Sequence, residues 1–446
     1  MATWGSLKTA LFERLGDNSF YTDDASVYAE ITSYLSEALR LWALAALHWK
    51  QRVTFPTAAN TAWYSLQSIT TSPAGILTPT VQDRFLLAEI EYHFLEPVSF
   101  TTWGSTQFTY AQVVGALQRR LDQFMVETGI IIHRDTPATG LIPGTGRFAI
   151  PAISGSPIID VRRIVWEDVD AVRTVLTRMD EFGATSFLPG WSADSPEAPE
   201  SYSVSAAPRL TVQFIPPPAG NGTLDILGVY AGPTLDPANG VSLGLPDNVA
   251  WIVKYGAMAD LLNADGISRD ALRSSYCERR WREGCELVRL YPSIVQAQIN
   301  GVNLTVDSIY NLDSFTPGWD DPADAARPDN LAFAGWNLIG LGPVPDGAYG
   351  AALDILRPAP IPAADGDSVD LGPEEIDAIL GYAQHLGTFK QGGQEFQDTI
   401  PLYEQFLRLA AIRNERLKAS AIFMESLYDR TTREEKDRKR REVLVQ

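Results

Sequence analysis

Residues 261–266, LLNADG, end in residue types that occur in calcium-binding loops. If Gly266 held the sixth position of such a loop, the first and twelfth positions would both be leucines, although carboxylates are required there. Asn263 and Asp265 fit better as a turn that also caps a helix beginning near Ser268. The spacing therefore argues against a metal site in this segment.

Three further patterns resemble catalytic motifs only in part. The letters HRD at 133–135 match part of a kinase catalytic loop, but glycine stands at position 140, where that loop needs asparagine, and no phosphate-binding glycine loop with a lysine accompanies them. The segment 140–147, GLIPGTGR, lacks the spacing and the Lys-Ser/Thr end of a Walker loop, so its glycines indicate a turn. The histidines lie in separate predicted elements without metal-binding spacing, and no GxSxG motif marks a serine nucleophile. These histidines are His48, His93, His133 and His385.

The acidic pairs and the cysteines are also explained without catalysis. The pair at 320–321 lies in a predicted loop and the pair at 374–375 at a predicted helix start, where solvent and the helix dipole accommodate their charge. Cys277 and Cys285 share one helical segment and are predicted as small interior or interface residues. The sequence thus predicts no enzyme, catalytic residue, cofactor or metal ion. A cytosolic hydrolase whose scattered acids meet only in the folded chain stays open as the least favoured alternative.

Composition limits the functions open to this chain. Its 446 residues are 45% hydrophobic, which is enough for two or three packed units. The formal net charge of -19 argues against a broad basic surface for gripping nucleic acid or an anionic membrane. The first residues lack the pattern of a signal peptide, and no run of about 18 apolar residues occurs. We therefore expect a soluble protein made in the cytoplasm, with no membrane partner.

Helical and strand patterns alternate along the chain. Apolar residues recur at helical spacing over 23–49, a β-hairpin pattern follows, and helical spacing returns over 80–96. Strand patterns such as RLTVQF then precede two helices, beginning near Asp247, that should form an antiparallel hairpin. The predicted units are 1–106 (helix, hairpin, helix), 107–300 (helix, β domain, helical hairpin), 301–370 (a Gly/Pro/Asp-rich irregular and β segment, mostly irregular to 350), 371–430 (a helical pair) and 431–446 (a charged tail).

Parts of the chain recur in sequence. The segment YAEITSYLSEAL from Tyr28 aligns without a gap with YAQVVGALQRRL from Tyr110. The letters LDIL at 224–227 recur at 353–356, and one constant shift pairs Pro246 with Pro373, Ile252 with Ile379, Tyr255 with Tyr382, Gly266 with Gly393 and Tyr276 with Tyr403. Because residue order recurs as well as residue type, duplication is favoured over chance. The predicted fold class is α+β, with antiparallel helical bundle units, inserted small β-hairpin or β-sandwich-like domains, and internal repeats.

The helix predicted to begin near Asp247 is apolar around most of its circumference. One stripe contains Val249, Ile252, Gly256 and Ala259, and the stripe nearly opposite contains Trp251, Tyr255, Met258 and Leu262. A helix with two apolar faces must be covered on both of them. The cover can be the core of the chain, a neighbouring repeat or a neighbouring subunit. We predict that the packing residues are Trp251, Tyr255, Gly256, Met258 and Leu262.

Seven segments follow one another between about residues 159 and 291: VRRIVW, LPGW, PESY, LTVQFIPPP, LDILGVYAGP, LGLPDNVAWIVKYGAMADLLNADG and RDALRSSYCERRWREG. Their order resembles the head-tail adaptor (connector) proteins of tailed phages, and VYAEITSYLSEALRLWALAALHW near the N-terminus resembles the first helix of those adaptors. The chain is much longer than a minimal adaptor, so the resemblance leaves its N-terminal unit and the material after about residue 300 unassigned.

The resemblance implies a structural protein of the virion that is made in the host cytoplasm. Such adaptors form homo-oligomeric rings, typically of twelve subunits, between the portal protein and the tail or tail-tube protein, and a C-terminal segment docks into the portal. An acidic ring of this kind would let genomic DNA pass without specific binding. The predicted portal-docking residues are Arg438, Lys439, Arg440, Arg441, Val443 and Leu444. The alternative in the same class is a tail-tube or neck protein that anchors tail fibres through 301–370.

Overall fold

A computed structural model of the chain describes residues 2–16, 27–66, 80–94, 107–135, 146–150, 158–187, 190, 196–205, 210–266, 269–290, 294–420 and 422. Helices and mostly antiparallel strands occur in blocks along these residues, which confirms the predicted α+β class. The helices are α1 Trp4–Arg14, α2 Val27–Ala46, α3 Asp83–Phe94, α4 Tyr110–Thr128, α5 Glu181–Phe187, α6 Ala250–Asn263, α7 Ala271–Leu290, α8 Ile309–Phe315, α9 Pro373–Thr388, α10 Gly393–Arg413 and α11 Glu415–Ala419.

The strands of the described residues form three sheets. They are β1 Lys50–Pro56, β2 Trp63–Ser65, β3 Ile132–Asp135, β4 Arg147–Ala149, β5 Ile158–Asp168, β6 Arg173–Arg178, β7 Ser201–Ser205, β8 Thr211–Ile215, β9 Gly222–Tyr230, β10 Ile294–Ile299, β11 Val302–Asn303, β12 Thr305–Ser308, β13 Asn330–Ala334, β14 Leu338–Gly342 and β15 Gly350–Leu356. One sheet has the order β3-β9-β5-β6-β7-β8-β4, and the two four-stranded sheets have the orders β1-β15-β10-β11 and β12-β13-β14-β2.

Local signals explain where the main helices begin and end. Thr109 accepts a hydrogen bond from the backbone of Gln112, whose side chain bonds back to Thr109, so α4 begins with a capping box; it ends at Gly129 in the left-handed region. Pro373 opens α9, where its missing N–H costs no hydrogen bond. Asp270 accepts from the backbone N–H of Arg273 at 3.0 Å and so caps α7.

The helical hairpin predicted after Asp247 is confirmed, because α6 and α7 pack antiparallel. The cap predicted for α7 is wrong: the helix begins at Ala271 and Asp270 supplies the cap. The carboxylate of Asp265 points into solvent, where it pairs with Arg269. The bend at 264–266 does form the predicted turn.

The hairpin predicted between β1 and β2 is wrong. β1 pairs with β15, with Val53 opposite Leu353, and β2 pairs with β14. An alternating strand pattern specifies which face is buried but not which strand is the partner. In this case Leu353 completes the apolar face, and Asp354 binds the guanidinium of Arg52.

The prediction that 301–350 is mostly irregular holds in extent, since helices and strands occupy just under half of the segment, but it missed how ordered and buried those elements are. Short strands β11 to β14 and helix α8 occupy much of this segment, and every residue of β14 is buried. Its glycines lie mainly in the tight turns between elements: Asn300–Gly301 and Gly335 have positive φ. The glycine- and proline-rich composition of this segment therefore indicates closely spaced turns between short elements.

Most buried side chains belong to one core, which extends through α1–α4, α6, α7, α9 and α10 and the two four-stranded sheets, while a second, smaller core lies on β5 to β9. Within the described residues, no helix is long and apolar enough to cross a membrane.

Candidate functional site: the central helix and its buried charges

Helix α6 has one face fitted closely against α7. A Cβ built on Gly284 of α7 would lie 2.5 Å from Ile252 Cγ1, and a Cβ on Gly256 would lie 2.6 Å from Trp281 Cε3. The Ser274 hydroxyl donates to the carbonyl of Ala259 at 3.0 Å. The glycines therefore let the two helices approach closely, and at Gly256 the neighbour is the ring of Trp281.

The neighbouring face of α6 carries the aromatic residues predicted to pack. Trp251 and Tyr255 are buried, their rings lie 5.8 Å apart, and both contact the guanidinium of Arg280 on α7. The Tyr255 hydroxyl donates to Glu37 of α2 at 2.8 Å. Met258 and Leu262 continue this buried face. The chain's own helices thus cover both faces of α6, and contact of these residues with another subunit stays a prediction.

Lys254 is fully buried in the middle of α6. Its ammonium donates to Glu37 on α2 and to Glu89 on α3, the latter at 2.8 Å. Burial alone would raise the pKa of Glu37, but Lys254 and Arg280 outweigh it, so the pKa lies below its usual value. Burial would lower the pKa of Lys254, yet Glu37 and Glu89 raise it. Both groups are therefore charged inside the core, and they tie three helices together.

Arg280 is enclosed by aromatic rings. Its guanidinium carbon lies 4.5 Å from the ring centroid of Tyr403 and 4.7 Å from that of Trp251. One guanidinium nitrogen donates to Glu283 at 3.1 Å and to the Tyr403 hydroxyl, and another donates to the Tyr382 hydroxyl at 2.6 Å. Cation–π contacts and charge-assisted hydrogen bonds compensate for the lost hydration of the arginine. The network joins α7 to α9 and α10.

His385 of α9 lies beside this network and is also fully buried. Its Nδ1 forms a hydrogen bond with the Thr399 hydroxyl and its Nε2 with the Tyr276 hydroxyl, each at 2.9 Å, and its ring stacks on Phe396. Burial, together with the positive charges of Arg280 and Arg279, lowers its pKa from 6.5 to about 3. The imidazole is therefore neutral in the folded protein throughout the neutral range.

We expect acid to destabilise the protein through His385. Because its pKa in the folded state is depressed, the unfolded chain binds a proton first, so the stability is present above pH 6.5 and is lost as the pH falls toward about 3. In thermal unfolding, the Tm of His385→Gln should fall less between pH 7 and pH 4 than the Tm of the unmodified protein. His48→Gln, at a partly exposed histidine, is the control. An unchanged slope in His385→Gln would contradict this role.

A second group of buried charges joins the large sheet to α8 and the loop after it. Arg163 of β5 forms two hydrogen bonds with Asp313 and two with Asp320, at 2.8 to 3.2 Å. Burial would raise the pKa of Asp320, but Arg163 and then Arg173 lower it. The loop predicted around residues 320–321 is correct, because Asp321 caps a short turn at Pro322–Asp324. The inward side chain of Asp320 was not predicted.

A cleft of about 680 Å³ lies beside Arg163, between β5 to β7 and α8. Two of its arginines are already bound to backbone carbonyls, Arg162 to Val126 and Arg178 to Val161. The Tyr202 hydroxyl is buried there without a hydrogen-bond partner among the described residues. The described lining combines arginines and the Tyr202 phenol with Asp313 and Ser314, and it contains no histidine or cysteine.

The two cysteines are buried on α7, and burial raises the pKa of both thiols. Since the thiolate is the reactive form, the native protein should not react with a thiol reagent such as Ellman's reagent, whereas the denatured protein should release two equivalents. Rapid reaction of a native cysteine would contradict this arrangement and would favour the enzyme alternative.

The residues of this site that the sequence did not predict are the charged partners of α6. Glu37, Arg280 and Lys390 are buried, and Lys390 binds Glu30 on α2 at 2.8 Å. One signal was present: Glu30 and Glu37 are acids seven residues apart, on one face of α2. The predicted portal-docking residues Arg438 to Arg441, Val443 and Leu444 lie outside the described residues.

The fold and this site define an α+β scaffold whose most deeply buried charges hold helices together. Residues 110–282, from the start of α4 into α7, match the family model described as the SU10 adaptor protein. The match covers less than half of the chain and supports a structural phage protein of the adaptor class, a component of the virion that interacts with other phage structural proteins. No curated protein matches the chain.

Proposed function

We propose that this protein is a head-tail adaptor that forms a homo-oligomeric ring between the portal protein and the tail or tail-tube protein and frames the DNA channel. The observation that carries the proposal is the adaptor-family match over residues 110–282, which contains α4, the large sheet, α6 and most of α7. Within the matched segment, Lys254 of α6 forms ion pairs with Glu37 on α2 and Glu89 on α3, which lie outside the match.

The net charge supports a channel through which DNA passes. A protein binds DNA nonspecifically by neutralising phosphates with lysine and arginine, which releases counterions. A chain with a net charge of -19 offers no broad surface for that process, so DNA would slide past it during packaging and ejection.

Electron microscopy and native mass spectrometry of the purified full chain, alone and with the portal protein of the same phage, test the proposal. We expect rings, either from the chain alone or only in the presence of the portal protein. A compact monomer that neither assembles nor binds the portal protein would refute the proposal.

Deletion of residues 431–446 should abolish portal binding and leave the fold intact. The proposed contacts are made by Arg438, Lys439, Arg440 and Arg441, whose charges would pair with acidic portal side chains, and by Val443 and Leu444 through apolar contact. Co-sedimentation with the portal protein measures binding, and circular dichroism measures folding.

A matched control lies in the same segment. Substituting Glu434, Glu435, Asp437 and Glu442 with their amides removes the negative charges of the tail and leaves its basic residues in place. This variant should still bind. If the deletion variant also binds normally, the tail is not the docking element.

A further inference from the structure

Two constant shifts in residue number relate separate parts of the fold. The first shift carries Tyr28 onto Tyr110, and with it α2 onto α4 and β1 onto β3. The second shift carries Tyr255 onto Tyr382, and with it β9 onto β15 and α6 and α7 onto α9 and α10. Both halves therefore contain a helix and a strand, followed later in the chain by a strand and two helices.

Strand register tests these shifts independently. Lys50 pairs with Leu356 in β1 and β15, and the two shifts convert this pair into Ile132 and Val229, which are partners in β3 and β9. The next three pairs of β3 and β9 correspond in the same way, as far as Asp135 and Ile226. An unbroken antiparallel ladder fixes all of its pairs once one is fixed, so the four pairs amount to one agreement between the two shifts. A slip of one residue would place every side chain on the other face of the sheet.

The recurrence of the letters LDIL does not follow the second shift. Under that shift Leu353 corresponds to Ile226, whereas the matching letters would place it on Leu224. The register of the sheet agrees with the shift defined by the helices and not with the one that LDIL would require. The correspondence of β9 with β15 therefore depends on strand pairing, and the repeated letters contribute nothing to it.

Helix contacts agree with the same correspondence. α4 packs against α6 and α7, and α2 packs against α9 and α10. In one half the side chain of Arg289, near the end of α7, donates to the carbonyl of Glu127 at 3.1 Å. In the other half Asn414, after α10, donates to the carbonyl of Ala45 at 2.8 Å. Ala45 and Glu127 are equivalent under the first shift, so the end of the last helix is tied to the same carbonyl in both halves.

The two halves meet through equivalent faces. Tyr255 and Tyr382 correspond under the second shift, and both hydroxyls donate to the same oxygen of Glu37, at 2.8 and 3.0 Å. The bond from Tyr255 crosses between the halves, whereas Tyr382 reaches the other half by accepting a hydrogen bond from Arg280 at 2.6 Å. Tyr276 and Tyr403 also correspond, and both lie in this interface: Tyr276 bonds to His385, and Tyr403 to Glu283. Subunits of a symmetric homodimer meet in this manner, with the same surface patch used on both sides.

We propose that the chain is a nested duplication, in which residues 27–56 and 350–417 form a second adaptor-type unit packed face to face against the unit at residues 110–290. The label adaptor-type rests on the proposed function, but the duplication itself does not. The second unit is split by the whole of the first, which explains why a linear family model matches only 110–282. One chain would therefore supply two adaptor-type units, with their tyrosine-bearing faces already paired inside the subunit.

An experimental structure of the full chain tests the duplication. Residues 110–128, 132–135, 223–229, 250–263 and 271–286 should superpose on residues 28–46, 50–53, 350–356, 377–390 and 398–413 as one rigid set. Superpositions with either shift changed by one or two positions are the control and should fit worse. An equal or better fit at a changed shift, or a different helix order, would overturn the proposal.

The shared carboxylate gives a second test in solution. Tyr255→Phe and Tyr382→Phe should each lower the Tm more than Tyr202→Phe, because the hydroxyl of Tyr202 has no hydrogen-bond partner in the described part of the chain. If either variant behaves like Tyr202→Phe, the face-to-face arrangement is refuted. Failure to form rings while these results hold would refute only the proposed function.

Discussion

Replacing Lys254 with methionine should lower the free energy of unfolding by about 3–5 kcal/mol, the usual cost of removing one partner from a buried ion pair. Methionine fills a similar volume but leaves Glu37 buried without its nearest cation. Glu37 would keep the hydroxyls of Tyr255 and Tyr382, and these cannot neutralise its charge. The measurement is urea unfolding followed by circular dichroism and by tryptophan fluorescence, with coincident transitions as the condition for a single free energy.

Arg52→Met is the matched control for Lys254→Met. Arg52 also binds a carboxylate through two hydrogen bonds, on Asp354, but more than half of its side chain is exposed. An exposed pair of this kind contributes little to the free energy of unfolding, because water screens the two charges. A loss of similar size in both variants would contradict the idea that burial makes the Lys254 pair important.

The double variant Lys254→Met with Glu37→Gln separates lost attraction from an unpaired charge. Glutamine keeps an oxygen for the two tyrosine hydroxyls and carries no charge, so the double variant should be more stable than Lys254→Met alone. If the losses of stability caused by Lys254→Met and by Glu37→Gln simply add in the double variant, the destabilisation does not come from an unpaired charge.

The sequence was sufficient to place α6 and to identify its two apolar faces. Helical periodicity is a local property, and both Ile252 and Tyr255 are buried on the faces that their spacing assigns. The partners of those faces depend on which distant helices arrive there. Glu37 lies 217 residues before Lys254 in the chain, and no local pattern connects the two.

The partner of a strand, like the partner of a helix face, could not be predicted from a local sequence pattern. The alternation in β1 predicts a strand with one buried face, yet its partner β15 lies far along the chain, beyond a complete unit of the fold. Neighbouring strands in the sequence often pair, which made a hairpin with β2 the default expectation. Under the proposed duplication β1 corresponds to β3 and β15 to β9, but this correspondence becomes visible only once the pairings of β1 with β15 and of β3 with β9 are known from the folded chain.

Gly256→Ala should destabilise the protein by about 1–3 kcal/mol, the usual cost of overpacking a core. Alanine in place of glycine normally stabilises the interior of a helix by up to about 1 kcal/mol, so the expected sign is reversed here. The new methyl group would lie 2.6 Å from Trp281 and 2.9 Å from Arg120. Arg120 is bound to Asp260 and Glu278, and the ring of Trp281 is buried against Phe124, so neither can move away cheaply.

Gly115→Ala should raise the free energy of unfolding in the same assay, the opposite of the effect expected for Gly256→Ala. Gly115 lies inside α4, and a Cβ there would meet only the end of the Arg119 side chain, at 3.7 Å. Its substitution should therefore show the ordinary gain from a better helix former. Both variants add the same methyl group to a helix. A stability change of opposite sign therefore reflects the contact of α6 with α7 and not helix propensity. Stabilisation by both variants would show that α6 and α7 are separated more widely than the close approach at Gly256 requires.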